Sequence, residues 1–174
     1  DRNFDLFSNK TAFTCMDTSL TYAKIDLYSK KVSAYLQSIG LQKGDKVCVM
    51  MPNVLQYPIV ALGILRAGMV LVSYQLKDSD AKAIFIIENF AKTFENTEDK
   101  GVVEHVILCK LGDMLGLMKG TVVNLAARYV KKVIPDHQLS SSIDFKTILS
   151  STSEHQYKRP DLTLNDVALL QSTG

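Results

Sequence analysis

Residues Ser172-Thr173-Gly174 follow directly on the apolar run Val167-Ala168-Leu169-Leu170-Gln171. A glycine beside two hydroxyl residues at the end of a strand is the composition of a phosphate-cradling loop. The glycine lets backbone N–H groups close in on phosphate oxygens, and the hydroxyls add donors. On spacing alone, an ordinary surface loop fits these three residues as well. A second constellation is cationic: Lys119, Arg128, Lys131 and Lys132 surround Val122, Val123, Ala126, Tyr129, Val130 and Val133, with no acidic residue between Asp113 and Asp136. Such a segment can lie on a membrane, its apolar side among acyl chains and Arg128, Lys131 and Lys132 at anionic headgroups. The commoner arrangement is a helix packed on a sheet with its charges in water, and a partner-protein surface is a third.

The remaining candidates are weaker. Cys15, Cys48 and Cys109 are odd in number and lack Cys-x-x-Cys spacing, which reads as free thiols of a reducing compartment. His105, His137 and His155 show no metal-ligand spacing with them, so no metal site is expected. His105 precedes an apolar strand and reads as structural, whereas His137 and His155 stand in polar connections and are expected to face solvent. None is assigned catalysis, because triads assemble in space rather than in sequence.

The 174 residues carry a net charge of +2, with 47% apolar and 22% charged residues. That balance fits a globular chain and gives no case for nucleic acid. No apolar run reaches the ~18 residues of a membrane span, and Asp1-Arg2-Asn3 does not open a signal peptide. A cytoplasmic location is the default expectation.

Periodicity supplies the elements that must hold these groups. Ile25, Tyr28, Val32, Tyr35, Leu36 and Ile39 recur at helical spacing after Thr21, and Gly40 supplies the stop. Val47–Met51, Met69–Val72, Ala83–Ile87, His105–Cys109 and Val167–Gln171 are short apolar runs of the kind buried on both faces of a parallel sheet. Between them, 54–67, 75–79, 88–97, 120–134 and 144–149 read as helices, with Pro58 expected to push back the start of the first. Gly63 is expected to allow close helix–sheet packing and Gly68 to close a helix. Tyr57-Pro58 reads as core rather than substrate tunnel. The alternation predicts an α/β fold: a parallel-rich sheet with helices on both faces.

Several blocks, in order, resemble the adenylate-forming enzymes. Gly44-Asp45-Lys46-Val47, Met51-Pro52-Asn53, Gln56-Tyr57-Pro58 and Gly63-Ile64-Leu65-Arg66-Ala67-Gly68 are similar to the bacterial long-chain fatty acyl-CoA ligases. So are Tyr74-Gln75-Leu76-Lys77-Asp78-Ser79, Lys119-Gly120-Thr121-Val122-Val123-Asn124, and Arg159-Pro160-Asp161-Leu162 through Leu170-Gln171.

The resemblance implies that residues 1–174 are part of an N-terminal AMP-binding domain, its first subdomain, with the rest of that domain and the lid beyond Gly174. It implies ATP-dependent activation of a long-chain fatty acid to an acyl-adenylate and then acyl-CoA. ATP, magnesium and coenzyme A are the cofactors and co-substrates so implied. It leaves room for a homodimer and for peripheral contact with the inner face of the cell membrane. Ser172, Thr173 and Gly174 would begin the ATP loop, although Ser172 stands where these ligases have tyrosine. The joins Phe7-Ser8 and Val72-Ser73 also depart from the pattern, which carries further residues at both. No catalytic residue is assigned within the chain, and by itself it is expected to be inactive. A fatty acyl-AMP ligase, a medium-chain acyl-CoA ligase and a non-catalytic α/β binding module are the alternatives.

Overall fold

A computed structural model describes residues 2–73, 80–97, 102–131, 133–137, 139 and 141–171. Helix α1 (Arg2–Leu6) leads into an antiparallel hairpin, β1 (Thr11–Cys15) and β2 (Thr18–Thr21). There follow α2 (Tyr22–Ser38), β3 (Lys46–Met50), α3 (Gln56–Arg66), β4 (Val70–Ser73), β5 (Ala83–Ile87), α4 (Ala91–Glu95) and β6 (His105–Cys109). Then come α5 (Leu117–Leu125), β7 (Ile143–Asp144), α6 (Phe145–Ser151) and β8 (Leu169–Gln171). The predicted helix at 75–79 lies outside the described residues.

Strands β3 to β8 form one sheet in the order β7-β6-β5-β3-β4-β8, every pairing parallel. Alternation divides the side chains between two layers. Val47, Val49, Leu71, Phe85 and Ile107 meet Ile59, Ile64, Phe145 and Ile148 in the larger core, whereas Cys48, Met50, Ile84, Ile86 and Leu108 meet Ala91 and Phe94 in the smaller one. The α/β fold with helices on both faces is therefore the one the periodicity predicts. β4 runs unbroken through the Val72-Ser73 join.

Local chemistry sets the element ends. Thr21 caps α2 by accepting the Lys24 N–H at 3.3 Å, and Gly40 (φ +90°) turns the chain away. α3 begins at Gln56, two residues later than predicted, so Pro58 falls in its first turn, where no intrahelical bond is lost. Gly63 serves helix–helix packing instead of the expected helix–sheet contact: a Cβ there would sit 2.5 Å from Val32 Cγ1 of α2. The hairpin is absent from the predicted elements because its turn has no glycine. Met16 (φ 51°) and Asp17 (φ 53°) take the left-handed conformation themselves.

The predicted helix over 120–134 differs most. It starts at Leu117, is α-helical to Leu125, and continues as a π turn over Ala126–Val130. Of its large apolar side chains, Val123 packs against the larger core. Val122, Leu125, Tyr129 and Val130 are exposed, while Gly120 and Ala127 are its buried residues.

Candidate functional site

From β3 the chain crosses through α3 to β4 on one side, then returns to place β5 on the other side of β3. At such a reversal the loops leaving the strands diverge and open a crevice at the carboxyl ends, where ligands of open α/β sheets bind. A cleft of about 590 Å³ lies there. Val49, Met50 and Met51 contribute the end of β3; Pro52, Asn53 and Tyr57 the approach to α3; Ser73 the end of β4; Phe90 and Thr93 the chain after β5. The described lining is apolar with amide and hydroxyl groups and has no carboxylate, imidazole or thiol. Such a wall shapes and hydrogen-bonds a ligand without moving its protons.

Strand β8 brings further groups to this edge. Its register pairs Leu169 with Leu71, Leu170 with Val72 and Gln171 with Ser73. Gln171 therefore stands beside a residue that lines the cleft. Ser172, Thr173 and Gly174, which carry the predicted phosphate loop, come next in the chain and lie outside the described residues. A second cavity of about 370 Å³ opens between the hairpin (Phe13, Thr14, Cys15) and the start of α3, sharing Asn53 and Tyr57 with the cleft. Tyr57 is thus both packed against the core and part of two ligand-sized surfaces.

The cationic constellation is divided. Arg128 pairs with Glu88, the buried residue that follows β5, so its guanidinium fastens the helix instead of standing free. Asn89 donates to the Val133 carbonyl at 3.2 Å beside it. Lys131 is exposed at the end of the π turn, and Lys132 lies outside the described residues. His137 does not face solvent as expected. Its side chain is only 15% exposed, Nε2 lies 3.7 Å from Glu88 Oε1, and Nδ1 is buried without a hydrogen-bond partner among the described residues. His155 is 89% exposed, as a residue of a polar connection should be. Cys15, Cys48 and Cys109 form no disulfide.

The turn after β6 holds the other buried acid. Asp113 Oδ2 accepts the Lys110 N–H at 2.7 Å. Burial pushes its carboxyl up to about 6, against the lowering effect of that bond and of Lys146 and Lys110. In the same turn Gly112 donates to Asn124 Oδ1 at 2.7 Å, and the Gly112 and Gly120 backbones touch. The block Gly120 to Asn124 is thereby explained as the seat of α5. Among the described residues, no three His, Cys, Asp or Glu gather in a way that could hold a metal.

Periodicity pointed to strands and helices but not to the residues just beyond each strand. Asn53, Ser73, Glu88, Phe90 and Thr93 were missed for that reason. The position after a parallel strand was the available signal.

Comparison with known proteins agrees with this layout. Over 97% of its length the chain is 43% identical to a long-chain-fatty-acid–CoA ligase of Escherichia coli O6:H1, of which it spans 32%. The structure superposes on an anthranilate CoA ligase, AuaEII, with a TM-score of 0.77 at 16% identity, covering 99% of this chain and 31% of that one. With a long-chain-fatty-acid-CoA ligase from Archaeoglobus fulgidus the TM-score is 0.70 at 20% identity, covering 99% of this chain and 33% of the other. At these identities the superpositions establish the fold. The chain spans about a third of the length of the relatives it matches. Because the family model of AMP-binding enzymes matches residues 1–174, from the hairpin to the strand beside the crevice, the chain belongs to the AMP-binding enzyme family.

Proposed function

We propose that this chain is the sheet-bearing part of a long-chain fatty acid–CoA ligase. In that reaction a fatty acid carboxylate attacks the α-phosphate of ATP and pyrophosphate leaves. The thiol of coenzyme A then attacks the acyl carbon, releases AMP and yields the thioester. The observation that carries this reading is the register of Gln171 with Ser73, which brings the end of β8 beside a cleft on the carboxyl edge of the sheet. Ser172, Thr173 and Gly174 follow in the sequence, and glycine and hydroxyl residues can supply N–H and O–H donors to phosphate. The identity to the Escherichia coli ligase supports the same substrates.

The described cleft residues can position a nucleotide and an acyl group but hold no charge to stabilise a pentavalent phosphorus. Those groups belong to sequence outside residues 1–174. Magnesium would arrive with the ATP phosphates, since the described residues build no site for it. The same reading places the protein in the cytoplasm, at the inner face of the membrane from which its substrate comes, and leaves a homodimer open.

The test is turnover by the complete protein with hexadecanoate, ATP, magnesium and coenzyme A. AMP, pyrophosphate and the thioester should form in equal amounts. Formation of adenylate without thioester would reassign it as an acyl-AMP ligase, and absence of both would end the reading. Residues 1–174 alone should release no pyrophosphate.

A further inference from the structure

Glu88 follows β5 directly, and its side chain is only 4% exposed. A carboxylate taken out of water is costly unless opposite charge meets it, and an apolar side chain would fill the same space with less penalty. What a buried ion pair adds is direction, because it fixes where its two chain segments stand. Both basic groups at Glu88 come from one stretch of chain. Arg128, in the π turn, donates to Glu88 Oε1, and His137 Nε2 lies 3.7 Å from the same oxygen. Between them in sequence, the Val133 carbonyl accepts from Asn89 Nδ2 at 3.2 Å. Three points from Arg128 to His137 therefore hold two consecutive residues, Glu88 and Asn89.

The residues so held are the root of one cleft wall. The turn Glu88–Phe90 leads into α4, whose Ala91 and Phe94 pack into the smaller core. Phe90 and Thr93, three residues apart and so on one side, line the cleft. With five residues α4 has less than two turns, too short to keep its direction without outside support. A displacement of Glu88 would therefore turn the Phe90 ring and the Thr93 hydroxyl together. The described lining of the cleft carries no charge, so it supplies shape and contact, felt alike by bound substrate and transition state.

We propose that Glu88 is a positioning residue for the cleft: clasped by Arg128 and faced by His137, it fixes the turn that presents Phe90 and Thr93 to substrate, without touching substrate itself. The connection that follows α5 thereby sets substrate affinity from behind the wall. The effect on turnover rests on the ligase reading, whereas the effect on the backbone does not, so the two fail separately.

The test compares the complete protein with Arg128→Met, Arg128→Lys and Gly63→Ala. In Arg128→Met, amide exchange should quicken over 88–95. KM for ATP or for hexadecanoate, whichever contacts the wall, should rise about tenfold while kcat stays within a factor of about two. Arg128→Lys keeps a positive charge opposite Glu88 and should recover most of the loss. Gly63→Ala, which strains the contact of α3 with α2, weakens the fold elsewhere and should leave both KM values as they are. Glu88→Gln keeps the shape and removes the charge, and it gives the same readings at smaller size should Arg128→Met fail to fold. If the parent shows no turnover, the ligase reading is lost and exchange over 88–95 decides alone. Faster exchange confined to 117–130, with both KM values unchanged, would mean that the pair only seats α5. An equal rise of KM in Gly63→Ala would mean that general loosening is enough. A fall of kcat at constant KM would place the effect in the chemical step instead of binding. Each of these three overturns the proposal.

Discussion

α3 and α5 are both seated through a glycine, and they end in opposite circumstances. At Gly63 the backbone of α3 approaches α2 so closely that Ser33 donates to the Gly63 carbonyl at 2.7 Å. On the same helix Arg66 pairs with Asp26 of α2 at 2.6 Å and lies over the Phe4 ring. Both helices then bury Ile59, Ile64, Ile25 and Val32 in the larger core. At Gly120 α5 approaches a turn, not a helix, and its own ion pair, Arg128 with Glu88, holds it to the end of β5. Behind the glycine of α3 stand large apolar side chains, whereas on α5 Val123 packs inward and Met118, Val122 and Leu125 are exposed. Close approach is therefore a statement about backbone distance alone. What a helix contributes to the core depends on which side its large residues occupy.

Substitution of the two glycines should separate these roles most strongly. A Cβ on Gly63 meets the stiff Val32 side chain at 2.5 Å and the Ser29 carbonyl at 3.1 Å. Gly63→Ala should cost about 2–3 kcal/mol in urea unfolding, and Gly63→Leu should prevent folding. Gly120→Ala collides with the Gly112 carbonyl, yet displaces a helix that buries little. Its global loss should stay near 1 kcal/mol, with the damage seen as faster amide exchange over 117–130. Equal losses at the two sites would erase the contrast.

The ion pairs give the next largest effect. Glu88 is buried and Arg128 is half exposed, so removing one partner is not equivalent to removing the other. Arg128→Met strands a carboxylate in the interior and should cost about 3 kcal/mol, whereas Glu88→Gln releases a guanidinium that can turn to water and should cost about 1 kcal/mol. Thermal unfolding of the two variants at neutral pH checks the order. If Glu88→Gln were the worse of the pair, Glu88 would be held by something other than Arg128.

The difference between the helices also governs what the sequence discloses. α2, α3 and strands β3 to β6 are legible within a residue or two, because periodic apolar positions in them coincide with burial. α5 shows the same periodicity, but its stripe faces outward, and periodicity carries no sign for inward or outward. The hairpin escaped because Met16 and Asp17 do what glycine or asparagine would announce. Sheet order, and with it the crevice, is a long-range property that no local pattern contains. The phosphate loop is an expectation of the resemblance, and the register of β8 shows where the strand before it ends, beside Ser73. Glu88 and Arg128, forty residues apart, are joined only by the fold.

The smallest effect concerns the turn that seats α5, and it is a gain. Asp113 has its carboxyl raised from 3.8 to about 6, mainly by burial. Between those values the unfolded chain has released the proton while the folded chain still holds it, so stability falls as pH rises through that window. Above about 6 the penalty is complete, at most about 3 kcal/mol and nearer 1–2 kcal/mol once partial solvation of the turn is allowed for. Asp113→Asn keeps an acceptor for the Lys110 N–H and carries no charge, so it should be more stable than the parent at pH 7 and equal to it near pH 4. Asp26 and Asp45 act in the opposite sense. Burial raises each of them, but the bonds from Lys30 and Arg66, and from Gln42 and Lys82, more than offset it, so their contribution is present above the ordinary carboxylate range and lost on acidification. Urea unfolding of parent and variant from pH 4 to 7 isolates the one from the others, because the Asp26 and Asp45 contributions cancel in the difference and that of Asp113 remains. A variant less stable at pH 7 would show that the turn needs the negative charge itself, and α5 would then be held by Lys110 and Lys146 as well as by its glycine.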